Sequence, residues 1–280
     1  MSPWELGRAG EALGLARATS KSLLELTMDY RQRIYKQYAS HYALTRDVSL
    51  AAVERQLPVL KARFGRFLPK DRAAQILDIG CGYGGFLLFL AREGYTQATG
   101  IDVSSEQLEL ARSLGVQNVQ CAELMEFLPK HPAAFDVIVA LDVVEHFPKE
   151  HILPLLDSIH LALRPGGVLI VQSPNGDGPF AGRYRYSDFS HTLAFTPESV
   201  LQVLSASGFE QVRIYPVEPV IHGPMSFVRF LIWKGIRTSL QFYLAVETGS
   251  PRGHVLTQNL VAVGKKAMSI TDRDDKGISR

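Results

Sequence analysis

The feature that most constrains the fold is ILDIGCGYGGF, residues 76–86. An apolar, β-prone run ends in a turn that carries Gly80, Gly82, Gly84 and Gly85, and a helix-forming run follows at once. Glycine takes positive φ without a Cβ penalty and lets the backbone approach a ligand closely. Asp102 ends the next strand-like run, TQATGID (96–102), where an acid can accept hydrogen bonds from two ribose hydroxyls. Together they predict a nucleotide-type site built on a strand–turn–helix unit.

The rest of the chain supplies the sheet that such a unit needs. From Ala73 onward, QILDI (75–79), TQATGID (96–102), NVQC (118–121), FDVIVAL (135–141) and GGVLIVQS (166–173) alternate with helical stretches near 85–93, 105–114 and 149–163. Alternation of that kind predicts an α/β chain with a doubly wound, mostly parallel sheet and helices on both faces. A strand over 209–215 and a final one over 254–263 complete it. Residues 1–72 read as an N-terminal helical cap, residues 73–264 as the binding domain with a helical insertion at about 216–253, and residues 265–280 as a flexible tail. With 280 residues the chain can bury a core without staples. Thirty Lys+Arg against 28 Asp+Glu leave no basic excess, so no nucleic-acid partner is expected. Cys81 and Cys121 form no CxxC pair, and neither a disulfide framework nor a zinc site is expected. Charges interrupt every long apolar run and the N-terminus has no signal-peptide core, which points to a cytoplasmic chain.

Gly80, Gly82 and Gly85 satisfy GxGxxG, a pattern that is weak alone. Asp78 separates the readings. A carboxylate beside the loop suits a cationic ligand better than a pyrophosphate. At this point Asp78-Ile-Gly80-Cys-Gly82-Tyr-Gly84 resembles the first motif of the class I S-adenosylmethionine-dependent methyltransferases. GIDVS (100–104), CAELMEFLP (121–129), FDVIVALDVVEHFP (135–148) and LRPGGVLIVQSPN (163–175) resemble the blocks that follow. The resemblance implies a seven-stranded Rossmann-like sheet and S-adenosylmethionine as cofactor, with S-adenosylhomocysteine as product and no metal requirement. It implies that Asp78, Gly80 and Gly82 hold the methionyl end, with Leu141 at the close of the fourth strand. Asp102 and Val103 then meet the ribose, and Glu123 and the amide of Leu124 read adenine. The family usually has Gly-Asp where this chain has Ala122-Glu123. The family often folds an N-terminal helix over the cofactor with an aromatic near the sulfonium, which nominates Tyr35, with Tyr38 on the same face.

Transfer to a hydroxyl needs a general base, and histidine is the usual choice. His191, in the loop RYRYSDFSHTLAFTP after the fifth strand, is the first candidate, with Asp188 orienting its other nitrogen. His146, beside Glu145 and Asp142 after the fourth strand, is the second. Arg183, Arg185 and Tyr186 in the same loop, with Asn175 before it, are expected to hold the acceptor, because Arg offers bidentate bonds to phosphate or carboxylate. The expected reaction is methyl transfer to a hydroxyl of a small or carbohydrate-like acceptor, phosphate-bearing or lipid-linked; the resemblance points to bacterial glycan pathways. N- or C-methylation of the quinone-precursor kind and a non-catalytic cofactor-binding scaffold stay open.

Residues 224–246, PMSFVRFLIWKGIRTSLQFYLAV, contain no acid. At about 100° per residue the apolar residues share one broad arc, with Arg229, Lys234 and Arg237 on the other side. Three roles stay open for this basic amphipathic helix: a cap on the core, a homodimer face, or a peripheral contact with the inner membrane surface.

Overall fold

A computed structural model of the chain describes residues 30–35, 47–249 and 254–268. Tyr38, most of the N-terminal cap and the end of the tail lie outside the described residues. Seven strands form one sheet: β1 (Ile76–Ile79), β2 (Ala98–Asp102), β3 (Val119–Cys121), β4 (Phe135–Leu141), β5 (Leu163–Pro174), β6 (Glu210–Pro216) and β7 (Asn259–Lys265). Their order is β3-β2-β1-β4-β5-β7-β6, and β7 runs antiparallel to both of its neighbours. The order reverses at β1/β4, so the ligand crevice falls outside the carboxyl ends of those two strands.

The helices are α1 (Tyr30–Tyr35), α2 (Leu50–Glu54), α3 (Leu57–Phe64), α4 (Gly85–Arg92), α5 (Ser105–Ser113), α6 (Leu124–Phe127), α7 (Lys149–Ala162), α8 (Ala181–Arg185), α9 (Pro197–Ala206) and α10 (Pro224–Thr248). Two apolar clusters, one per sheet face, follow from the period-2 alternation of the strands. Leu77, Ile79, Ile138, Leu169 and Val171 pack with Ile152, Leu155 and Ile159 of α7 and with Leu204 of α9. Ile76, Val137, Val139 and Ile170 pack with Phe86 and Phe89 of α4, Leu108 of α5 and Phe64 of α3. Each fully buried Leu or Ile stabilises by roughly 1.5–3 kcal/mol. Helix α9 begins as its sequence dictates: Thr196 caps it, Pro197 occupies its first turn, and Thr196 and Ser199 exchange hydrogen bonds.

Three boundaries differ from the sequence reading. Strand β5 starts earlier, at Leu163, and its register against β4 shifts between Phe135 and Val137. The last strand starts at Asn259 rather than His254, because residues 254–258 leave the ladder to brace the site: Asn175 Nδ2 donates to the carbonyls of Val255 and Thr257, and Thr257 Oγ1 accepts from Val217 N–H. Strand β7 runs on through Lys265, and Lys266 Nζ donates to the carbonyls of His160 and Leu163 at 2.7 and 2.8 Å.

Candidate active site

The glycine loop follows β1 with positive φ at Gly80 (65°), Gly82 (52°) and Gly84 (78°). Gly80 is obligatory twice over, since a Cβ there would lie 2.5 Å from Val143 Cγ2. A Cβ at Gly82 would meet nothing nearer than Gln107 Oε1 at 3.9 Å. That leaves the loop surface open where a ligand backbone approach is needed. Cys81 turns inward instead: its Sγ fills the space above Gly100, where a Cβ would come within 2.7 Å of it. Burial pushes its thiol pKa up, with the charges of Asp78 and Asp102 adding to the shift, so it is a packing residue.

Asp78 is 2% exposed, and burial, followed by the charge of Asp102, raises its carboxyl well above the usual range. A buried acid whose charged form burial disfavours gains from a cation brought beside it. Asp102 is raised by burial too, against three backbone amides that favour its charged form. Its Oδ2 accepts from Gly82 N–H at 2.9 Å and its Oδ1 from Ser104 N–H at 2.8 Å. Asp102 thus ties the glycine loop to β2. A carboxylate offers about four lone-pair directions, so it keeps capacity for ribose hydroxyls. Val103 is exposed beside it, Glu123 is exposed at the start of α6, and Leu124 is buried. The open Gly82, the buried Asp78 and the loop-holding Asp102 fit an adenosyl ligand with a cationic methionyl end.

The crevice floor comes from the end of β4. Asp142 adopts φ +57° and accepts both Gln172 Nε2 hydrogen bonds, at 3.1 and 3.0 Å. Glu145 follows, fully buried, with the Ser173 hydroxyl beside its carboxyl and no well-formed hydrogen bond to either oxygen among the described residues. Burial first, and the Asp142 charge second, push its pKa well above the carboxylate range. Glu145, His146 and His191 bring one polar atom each within 4.8 Å of one another.

The loop after β5 is pinned onto this turn: Thr192 N–H and Leu193 N–H both donate to Glu145 O, and Thr192 Oγ1 donates to Glu145 O and Phe147 O. That packing sets the two imidazole rings 4.7 Å apart, centroid to centroid. The pairing expected of Asp188 and His191 is corrected here. His191 Nδ1 meets Tyr184 O at 3.2 Å. Asp188 Oδ1 instead accepts from Ser190 Oγ at 2.6 Å, and Ser190 Oγ lies 2.9 Å from His146 Nδ1. Ser190, fully buried, went unnoticed in the sequence; its only signal there is the Asp-x-Ser spacing of a side-chain turn.

Asn175 also departs from expectation. It is 1% exposed, its Nδ2 serves two carbonyls, and its Oδ1 accepts from Asp177 N–H at 3.0 Å. It braces the end of β5, and its burial leaves no face open to an acceptor. Arg183 and Tyr186 are exposed on or beside α8, and Arg185 Nη2 donates to Thr192 O at 2.9 Å. Helix α1 covers the same edge, with Tyr35 centred 6.3 Å from His146 and Tyr30 packed edge-on against Phe189 at 5.8 Å.

The family described as Methyltransferase domain matches residues 52–214, more than half of the chain. The chain belongs to that family. It is 31% identical over 156 residues to a ubiquinone biosynthesis O-methyltransferase of Idiomarina loihiensis, covering 50% of this chain and 63% of that one. It is 32% identical over 153 residues to the 27-O-demethylrifamycin SV methyltransferase of Amycolatopsis mediterranei, covering 50% of this chain and 55% of that one. The chain spans less than two thirds of the length of both relatives. An S-adenosylmethionine-dependent methyltransferase from Archaeoglobus fulgidus superposes with a TM-score of 0.57 at 23% identity, over 75% of this chain and 94% of that one. The fold is therefore the Rossmann-like methyltransferase fold, and S-adenosylmethionine is the cofactor that goes with it. The matched residues end before α10 and β7.

Proposed function

We propose that this chain is an S-adenosylmethionine-dependent O-methyltransferase that acts on a hydroxyl of a small molecule, with His146 as general base. The observation that carries the base assignment is the hydrogen-bonded chain Asp188–Ser190–His146. Asp188 can only accept from the serine hydroxyl, so Ser190 Oγ must accept from His146 Nδ1–H. That leaves the lone pair on His146 Nε2.

When bound, S-adenosylmethionine supplies an electrophilic methyl group for in-line displacement. The protein's share is alignment, proton removal and exclusion of water. Asp78 is the counter-charge for a methionyl ammonium, which favours the charged form of the carboxyl. As the acceptor oxygen attacks, its proton passes to His146 Nε2, and the positive imidazolium is steadied through Ser190 to Asp188. Glu145, whose charged form burial disfavours, lies within 4.8 Å of both His146 and His191 in the floor. Helix α1, with Tyr35 against His146, keeps water from that side.

Two relatives named O-methyltransferases support transfer to oxygen rather than to nitrogen or carbon. Exposed Arg183 supports an acceptor whose hydroxyl stands near a phosphate or carboxylate, and a sugar-like or lipid-linked scaffold is one such acceptor. The test is S-adenosylhomocysteine release with a panel of catechols, hydroxybenzoates and nucleotide sugars. Turnover of a hydroxyl acceptor is expected. His146→Ala is expected to lower kcat by roughly 10²–10⁴ with S-adenosylhomocysteine affinity intact, the usual share of general base catalysis. Turnover of amines only, or a full-rate His146→Ala variant, overturns the assignment. Cofactor binding without release from any acceptor would favour a scaffold.

A further inference from the structure

We propose that α10 is a homodimer interface, in which two copies of the helix pack antiparallel about a two-fold axis near Thr238 and Ser239. The helix has 25 residues, and Ser226 is its only buried one. Its polarity is inverted relative to the body of the protein. Lys234 and Arg237 turn inward, onto Glu218, at 3.2 and 2.7 Å. The outward arc holds Val228, Leu231, Ile232, Ile236, Phe242, Tyr243 and Val246, exposed by 48–72%. A helix about 37 Å long, at 1.5 Å per residue, thus presents a continuous apolar ridge with no charge along its middle. Ridges of this size mark interaction surfaces.

Charge identifies the occupant. An anionic bilayer is met by cations that flank the apolar face. Here two of the three cations are spent on Glu218. The remaining edge carries one charge of each sign, Arg229 and Glu247, both exposed and neither in an ion pair with a described residue. At about 100° per residue the two side chains share one angular position, five turns apart. An antiparallel second copy brings each Arg229 beside the partner's Glu247, because such a two-fold keeps the same flank of both helices on the same side.

The seam agrees with the charges. Residues 228, 232, 235, 239, 242 and 246 recur at spacings of four and three, the period of helix-to-helix packing, and leave Arg229 and Glu247 on one flank. About the same axis, Ile232 faces the partner's Val246 and Gly235 faces the partner's Phe242. Ser239 faces its own copy. A Cβ on Gly235 would meet no atom of its own chain within 4 Å. The gap there accepts an aromatic ring from the partner, and the small central residues allow close approach.

Sedimentation velocity of the full chain over a wide concentration range tests the proposal. A reversible dimer is expected. Ile232→Glu and Phe242→Glu should each give a monomer with native circular dichroism and unchanged S-adenosylhomocysteine affinity. Arg229→Glu and Glu247→Arg should each weaken the dimer by about fivefold, in line with exposed ion pairs, and the double reversal should restore it. A chain that is monomeric throughout overturns the proposal. So does a monomer captured by phosphatidylglycerol–phosphatidylcholine vesicles through Phe242, which would make the ridge a lipid contact. Failure of the double reversal to restore a dimer overturns the antiparallel register.

Discussion

His146 Nδ1 lies 2.9 Å from Ser190 Oγ, although 44 residues separate the two in sequence. The serine hydroxyl is itself committed to Asp188 at 2.6 Å, so the imidazole tautomer is set by a chain of two hydrogen bonds. On the proposed role of His146 as base, loss of the relay should be felt in rate before it is felt in binding.

Ser190→Ala is therefore expected to lower kcat about tenfold, the value of roughly one hydrogen bond. The acidic limb of the kcat pH profile, where the base is protonated, should move, while S-adenosylhomocysteine affinity stays as in the parent chain. Stopped-time assays across pH check this. His191→Ala should cost less than His146→Ala, since His191 Nδ1 meets a loop carbonyl and no carboxylate relay.

Asp78 gives a pH prediction. Burial and then Asp102 raise its pKa above its unfolded value, so the ligand-free folded chain binds more protons than the unfolded one. Stability contributed by this group is present at low pH and is lost as pH rises from the ordinary carboxylate range through the folded pKa. Asp78→Asn should remove that slope and raise the melting midpoint on the alkaline side. Cofactor affinity should run the other way, tightening as pH rises, with a proton released on binding. Calorimetry in two buffers of different ionisation enthalpy measures that proton, and Asp78→Asn should abolish it together with most of the affinity.

Gly80→Ala should destabilise the chain by about 3 kcal/mol or more, because a left-handed residue gains a Cβ that overlaps Val143. Adding Val143→Ala should recover the overlap but leave about 1–2 kcal/mol of backbone strain. Urea denaturation of both variants separates the two contributions.

Asn175→Leu should cost about 3 kcal/mol in the same assay. It leaves the carbonyls of Val255 and Thr257 and the N–H of Asp177 without partners in a buried setting. The loss should appear as thermal instability with the cofactor affinity little changed, which distinguishes a brace from an acceptor contact.

The sheet and the cofactor half of the site were legible because their signals are local. Alternation sets a strand, a run of glycines sets a turn, and Asp78 and Asp102 stand at the ends of strands whose positions the pattern dictates. The family match from 52 to 214 covers the same region. The acceptor half was less legible, because the loop after β5 is seated by bonds from Thr192 and Leu193 to Glu145, across more than forty residues. Residue types alone nominated both His146 and His191 and could not say which of them Asp188 serves.

The same division holds for α10. Its apolar and basic arcs are properties of the sequence, since helical periodicity alone produces them. Which arc faces water is not written in that periodicity: in the fold Lys234 and Arg237 lie against Glu218 of the body, and the apolar arc is outward. The sequence by itself determined the strand order's raw material, the glycine cradle and the chemical inventory of the site. The tertiary structure decided which inventory members touch, because hydrogen bonds and ion pairs form between neighbours in space and carry no mark in the spacing of the chain.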